Sequence, residues 1–256
     1  MPTVSEIYDY MDSFAPFRLQ CEWDNSGLNI GDFQGQVSKI AVALDITPEA
    51  VVYAAKKGAQ LIVSHHPVLY HARRQVLTND PAYAVIRNGM SAICAHTCLD
   101  IAEGGVNDVL CRKLGFDNAV PLAQTGEAAM VRVYEYETPV SVADVAAQTA
   151  KKLGGAVRYS CGQKTVRRVA VCGGEGTDFI PDVKKAGCDL FITGDCRHHN
   201  FLDAKAMGLA IIAAGHYETE NPVTELLAEK LRERFAVEVF LVPGESPCQT
   251  VQANND

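Results

Sequence analysis

The chain has 256 residues, 48% of them hydrophobic, with a formal net charge of -8. That is enough apolar material for one large buried core or two modest ones, and it excludes a disordered chain. The acidic balance argues against extended nucleic-acid binding, since basic residues gather only in pairs such as Arg73-Arg74 and Lys184-Lys185. No apolar stretch approaches the roughly 20 residues of a membrane helix, and the start Met1-Pro2-Thr3-Val4-Ser5-Glu6 lacks the basic and apolar regions of a signal peptide. A cytoplasmic protein without a membrane partner is therefore expected. The nine cysteines are odd in number and never spaced C-x-x-C, so free thiols are expected rather than a disulfide framework or a zinc knuckle.

In chain order, Ile40-Ala41-Val42-Ala43-Leu44 predicts a strand. Thr47 then supplies an N-cap and Pro48 a first helical residue for a helix through Lys57. A strand over Leu61 to Ser64 follows, then a helix from about Pro81 to Asn88 and a strand from Ala92 to Ala95. This is a βαβαβ pattern, which predicts an α/β fold with a largely parallel sheet that binds ligands beyond the carboxyl ends of its strands.

The pattern recurs. Ile40-Ala41-Val42-Ala43 aligns with Val169-Ala170-Val171-Cys172, and at the same offset Gly58 to Ser64 aligns with Gly187 to Thr193. After a shorter spacing, Gly89 to His96 aligns with Gly208 to Gly215. Two similar layered α/β lobes from an internal duplication are expected, residues 1–122 and 123–256, with the C-terminal segment able to pack back on the first. The small and turn-forming residues of 119–127 mark the expected hinge.

The matching strand ends carry the polar residues. They read Ser64-His65-His66-Pro67 and His96-Thr97-Cys98-Leu99-Asp100 in the first lobe, Thr193-Gly194-Asp195-Cys196-Arg197-His198-His199 and Gly215-His216-Tyr217-Glu218-Thr219-Glu220 in the second. Every histidine but His71 lies in these four segments. Imidazoles and carboxylates at strand ends suit divalent metal, and two half-sites facing across a cleft would gather His65, His66, Asp100, His216 and Glu220 around two ions. His216 and Glu220 are four apart, the spacing of one helical face, although Pro222 favours a place just ahead of a helix running through Arg232. Each residue also has a plainer use: Asp100 as a cap for a helix starting near Glu103 to Asn107, His216 as a core histidine, Glu220 as a solvated charge.

Trp23-Asp24-Asn25-Ser26-Gly27-Leu28-Asn29-Ile30-Gly31, Ser64-His65-His66-Pro67, His96 to Asp100 with Glu103-Gly104-Gly105-Val106-Asn107-Asp108, and Gly215 to Glu220, taken together in this order, resemble the NIF-three-like family. Its members are often labelled GTP cyclohydrolase type-two homologues. The resemblance spans nearly the whole chain, from Ser5 to about Val242. It implies two α/β lobes, a dinuclear metal centre held by His65, His66, Asp100, His216 and Glu220, and a toroidal homohexamer. It also implies a pocket position for His96, which as an imidazole is a candidate general acid or base. Cys98 stands where many relatives carry asparagine and is not assigned as a ligand. The middle domain that longer relatives insert is missing.

The implied chemistry is hydrolysis of GTP or a related nucleotide or phosphorylated substrate by metal-activated water, with zinc, manganese or iron as the two ions. Asp195, Arg197 and His199 are the expected substrate-binding residues, and the amides of Gly173 to Gly176 are a further anion site. In the loop, Trp23 reads as an aromatic anchor, the two glycines as turn formers, and Asp24 and Asn25 as residues able to reach the cleft. The alternative is a non-enzymatic metal-binding adaptor or metal-handling ring. For the ring, the half-exposed runs 131–136 and 237–242 offer strand edges.

Overall fold

The computed structural model describes residues 1–122 and 129–251. The expected hinge runs past Leu122 into residues that lie outside the described ones. The chain forms two compact units, Met1–Val106 with Val223–Gly244, and Asn107–Pro222 with residues 245–251.

The first unit begins with helix α1 (Val4–Phe14), then runs β1 (Gly27–Ile30), β2 (Lys39–Ala43), α2 (Pro48–Lys57), β3 (Leu61–Ser64), α3 (Pro81–Arg87), β4 (Ser91–Cys94) and α4 (Thr97–Ile101). The second holds α5 (Val106–Leu114), β5 (Val120–Pro121), β6 (Arg132–Ser141), α6 (Val142–Leu153), β7 (Arg158–Tyr159), β8 (Thr165–Cys172), α7 (Ile180–Lys185), β9 (Leu190–Thr193), α8 (His198–Ala206), β10 (Ala210–Ala213) and α9 (His216–Glu220). The chain then returns to the first unit as α10 (Val223–Arg234) and β11 (Glu238–Leu241).

Local chemistry sets these boundaries. The Thr47 hydroxyl accepts from the Ala50 amide at 3.1 Å, and Pro48 opens α2 where a missing N–H costs nothing. Asp80 caps α3 in the same way, accepting from the Ala82 amide at 2.9 Å, again ahead of a proline. Each strand between these helices is four or five residues long and almost wholly apolar, the composition of a parallel sheet covered on both faces.

Among the described residues the first sheet has the order β1-β4-β3-β2-β11 and the second β5-β6-β8-β9-β10-β7. In the first, β2, β3 and β4 are parallel, with Ile40 opposite Leu61 and Leu61 opposite Ser91. In the second, β8, β9 and β10 are parallel, with Val169 opposite Leu190 and Leu190 opposite Ala210. The residues paired in one sheet are those that sequence comparison aligns with the pairs of the other. Side chains of the second sheet alternate between two cores. Val169, Val171, Leu190 and Ile192 pack with Leu110 and Leu114 of α5 and Val145 of α6. Ala170, Phe191 and Ile211 pack with Ile180 and Val183 of α7 and Ala204 of α8. Of the two runs expected to offer edges, β11 is the outer strand of its sheet, whereas β6 lies inside the other, paired with β8 along much of its length.

Candidate metal centre

Two adjacent side chains on a strand point to opposite faces, so His65 and His66 share a site only because the chain turns there. The turn is made by Ser64, whose hydroxyl donates to the His66 carbonyl at 2.7 Å, and by Pro67, which cannot extend a ladder. The two rings come to lie 4.9 Å apart. His65 is fully buried and its Nδ1 donates to the Ala95 carbonyl, just beyond β4, at 2.8 Å. His66 Nδ1 donates to the Asp45 carboxylate, just beyond β2, at 2.7 Å. An engaged Nδ1–H sets the tautomer with the lone pair on Nε2, the arrangement common to metal-binding histidines. Asp100 Oδ1 lies 3.7 Å from His65 Nε2. It sits inside α4 and does not cap α5, which begins at Val106.

His96 closes the same cluster at the start of α4. One ring nitrogen from each of His65, His66 and His96 lie within 4.8 Å of one another, a grouping able to hold a metal ion. His96 Nδ1 donates to Asp24 at 2.9 Å, and its Nε2 meets the Tyr70 hydroxyl at 3.0 Å. Asp24, whose side chain is inaccessible to solvent, also accepts from the Thr97 amide and hydroxyl. Burial pushes the Asp24 carboxyl up, but the hydrogen bond and charge of His96 and the donors of Thr97 and Asn25 outweigh it and hold it well below the usual carboxylate range. Asp24 is thus the anchor of its loop. Trp23 is not: it is 57% exposed and meets the His96 ring edge-on at 5.8 Å. Cys98 is fully buried, and that burial pushes its thiol up to about 12, with Ser26 opposing and Asp24 and Asp100 reinforcing.

In the second unit, His216 and Glu220 are the first and last residues of the one-turn helix α9. The pair lies just ahead of α10, as expected, but in a short helix of its own, and His216 Nε2 is 3.0 Å from Glu220 Oε2. His216 Nδ1 donates to Asp195 at 2.8 Å. Gly174, at φ 59°, lies against the Glu220 carboxylate, and a Cβ there would overlap it. The expected anion site on this loop is ruled out at three of its amides, since Gly173 donates to Asn107 at 2.8 Å, Gly174 to Thr219 at 3.1 Å and Gly176 to Thr193 at 3.0 Å. Of the expected substrate-binding residues, Asp195 is engaged by His216, Arg197 pairs with Glu175 at 3.3 Å on the surface, and His199 is exposed on α8.

Asp45 and Tyr70 escaped sequence reading. The signal for Asp45 was its place directly after a strand, beside the strand that ends in His65-His66. Tyr70 follows Pro67 in an irregular loop, where no periodicity locates a side chain.

A family model described as Duf34/NIF3 (NGG1p interacting factor 3) matches residues 2–247. The chain belongs to the Duf34/NIF3 family. Among its relatives is a Clostridium perfringens protein called GTP cyclohydrolase 1 type 2 homolog, 34% identical over 95% of this chain and 97% of that one. The crystal structure of Staphylococcus aureus protein SA1388 superposes with a TM-score of 0.89 at 25% identity, covering 98% of this chain and 99% of that one. A Bacillus cereus protein related to NIF3 has a TM-score of 0.90 at 21% identity, covering 99% of both chains, and shares the fold. As a Duf34/NIF3 protein the chain has a mixed α/β fold, His/Asp/Glu groupings able to hold metal, and, among the described residues, no helix long and apolar enough to cross a membrane.

Proposed function

We propose that the half-sites of the two units face each other and form one dinuclear centre, ligated by His65, His66, Asp100, His216 and Glu220, in a hydrolase acting on GTP or a related nucleotide. The observation that carries this reading is the way the three ligand histidines are held at Nδ1. His65, His66 and His216 each tie Nδ1 to a carbonyl or carboxylate oxygen, which dedicates Nε2 to a Lewis acid. Neutral imidazole with carboxylate is a donor set that suits zinc, manganese and iron.

Two such ions would supply Lewis acidity, making water at the site a better nucleophile near neutral pH and stabilising the negative charge that develops during hydrolysis. The residues around them divide the remaining work. Asp45, Asp195 and the Ala95 carbonyl fix the ligand rings. Asp24 holds the proton of His96 at Nδ1, so that Nε2 is the atom able to take or give one at the site. Trp23 and Tyr70 border His96 and limit water access to it. The relatives' name suggests hydrolysis at the imidazole ring of a purine nucleotide with release of formate. A toroidal homohexamer belongs to the same reading.

Turnover tests it. Metal-loaded protein, incubated with GTP and with a panel of nucleotides and phosphoesters, is expected to release formate or phosphate from at least one, and the His65→Ala, Glu220→Ala double variant from none. Equal, negligible signals from both proteins across the panel would favour the metal-binding adaptor instead.

A further inference from the structure

The first unit places three imidazoles together, each with Nδ1 tied to an oxygen, and His96 is engaged at Nε2 by Tyr70 as well. His96 is held at both ends of its ring: Nδ1 donates to the buried Asp24 carboxylate at 2.9 Å, and Nε2 meets the Tyr70 hydroxyl at 3.0 Å. Whenever His96 is neutral with Nδ1 carrying the proton toward Asp24, the lone pair is on Nε2 and the Tyr70 O–H is the donor to it. That same lone pair is what a metal would use. His96 has the ring position of a third nitrogen ligand, within 4.8 Å of His65 and His66 by one nitrogen from each.

We propose that Tyr70 is a positioning residue that occupies His96 Nε2 and keeps it out of the metal's coordination sphere. The inference rests on the metal reading of His65 and His66. Its chemical logic is competition for one pair of electrons: a phenol hydrogen bond is a modest interaction, whereas an imidazole–metal bond is strong, so the outcome turns on whether the ring is oriented toward Tyr70 or toward the ion. Here Asp24 fixes the plane of the ring from the far side, and the His96 amide donates to Ser26 at 3.0 Å, so ring and backbone are pinned together. Tyr70, a residue 37% exposed, then completes a chain Asp24–His96–Tyr70. By this arrangement His96 stays available for proton transfer instead of becoming a third ligand.

The test is cobalt binding to the full-length protein, apo at the start, for wild type, Tyr70→Phe, and Tyr70→Phe combined with His96→Gln. Phenylalanine keeps the ring and removes only the hydroxyl, and thermal melts of the apo proteins establish that each variant is folded. In Tyr70→Phe, the visible d–d band of bound cobalt is expected to change as an imidazole is added, and the Kd measured against a competing chelator to fall about tenfold or more. The double variant is expected to lose both changes. A wild-type spectrum and affinity in Tyr70→Phe, or weaker binding by it, would overturn the inference while leaving the metal reading intact. Wild-type protein that binds no cobalt would overturn the metal reading, and the inference with it.

Discussion

A single carboxylate, Asp24, decides how the loop over Trp23 to Gly31 meets the site. It accepts from His96, from the Thr97 amide and from the Thr97 hydroxyl, all from a position without solvent access. Replacing it with asparagine keeps the shape but puts an amide NH2 against donors, so a destabilisation of about 2 kcal/mol or more is expected, read by urea denaturation at pH 7. The pH dependence has a definite sign. The Asp24 carboxyl lies below its usual range in the folded protein, so its ionised form favours folding. The advantage of wild type over Asp24→Asn is complete above the unfolded carboxylate pKa of about 4 and is lost as pH falls toward the folded value. A stability difference that grows on acidification would contradict this assignment.

At the scale of elements, the same device appears in each unit. A carboxylate just past one parallel strand steadies a histidine just past its neighbour: Asp45 after β2 with His66 after β3, and Asp195 after β9 with His216 after β10. Both aspartates are half exposed, at 47% and 56% by side chain, so their removal should spare the fold. Asp45→Ala and Asp195→Ala are each expected to weaken zinc binding by about 10- to 100-fold with little change in apo melting temperature, measured by competition with a chromogenic chelator. Unchanged affinity in both would show that the rings need no such support. The strands and helices were legible because period and caps are local: Thr47-Pro48 starts α2, and Pro81 starts α3. What was not legible depended on contacts distant in the sequence. Pro222 argued against a helix at His216–Glu220, but its effect reaches only its own turn, and α9 ends before it. Trp23 was expected to be an anchor from its size, yet the hydrogen bonds of Asp24 take that task and leave the indole at the surface. The glycines of Gly173 to Gly176 suggested an anion cradle, and only the side-chain oxygens of Asn107, Thr193 and Thr219 show that three of those amides are already used.

For the molecule as a whole, the five proposed ligands were legible in the sequence as matched strand ends, and the structure places three of them in one unit and two in the other. Neither half alone offers the coordination two ions require: the first has two histidines and an aspartate, the second a histidine and a glutamate. In the proposed centre, metal binding is therefore a joint property of both units. Metal content decides it most directly, measured by elemental analysis of wild type, His65→Ala and Glu220→Ala purified without added metal. Wild type is expected to hold two divalent ions per chain, and each single variant to lose most of both. Retention of both ions by either variant, or loss of only one, would contradict a shared centre.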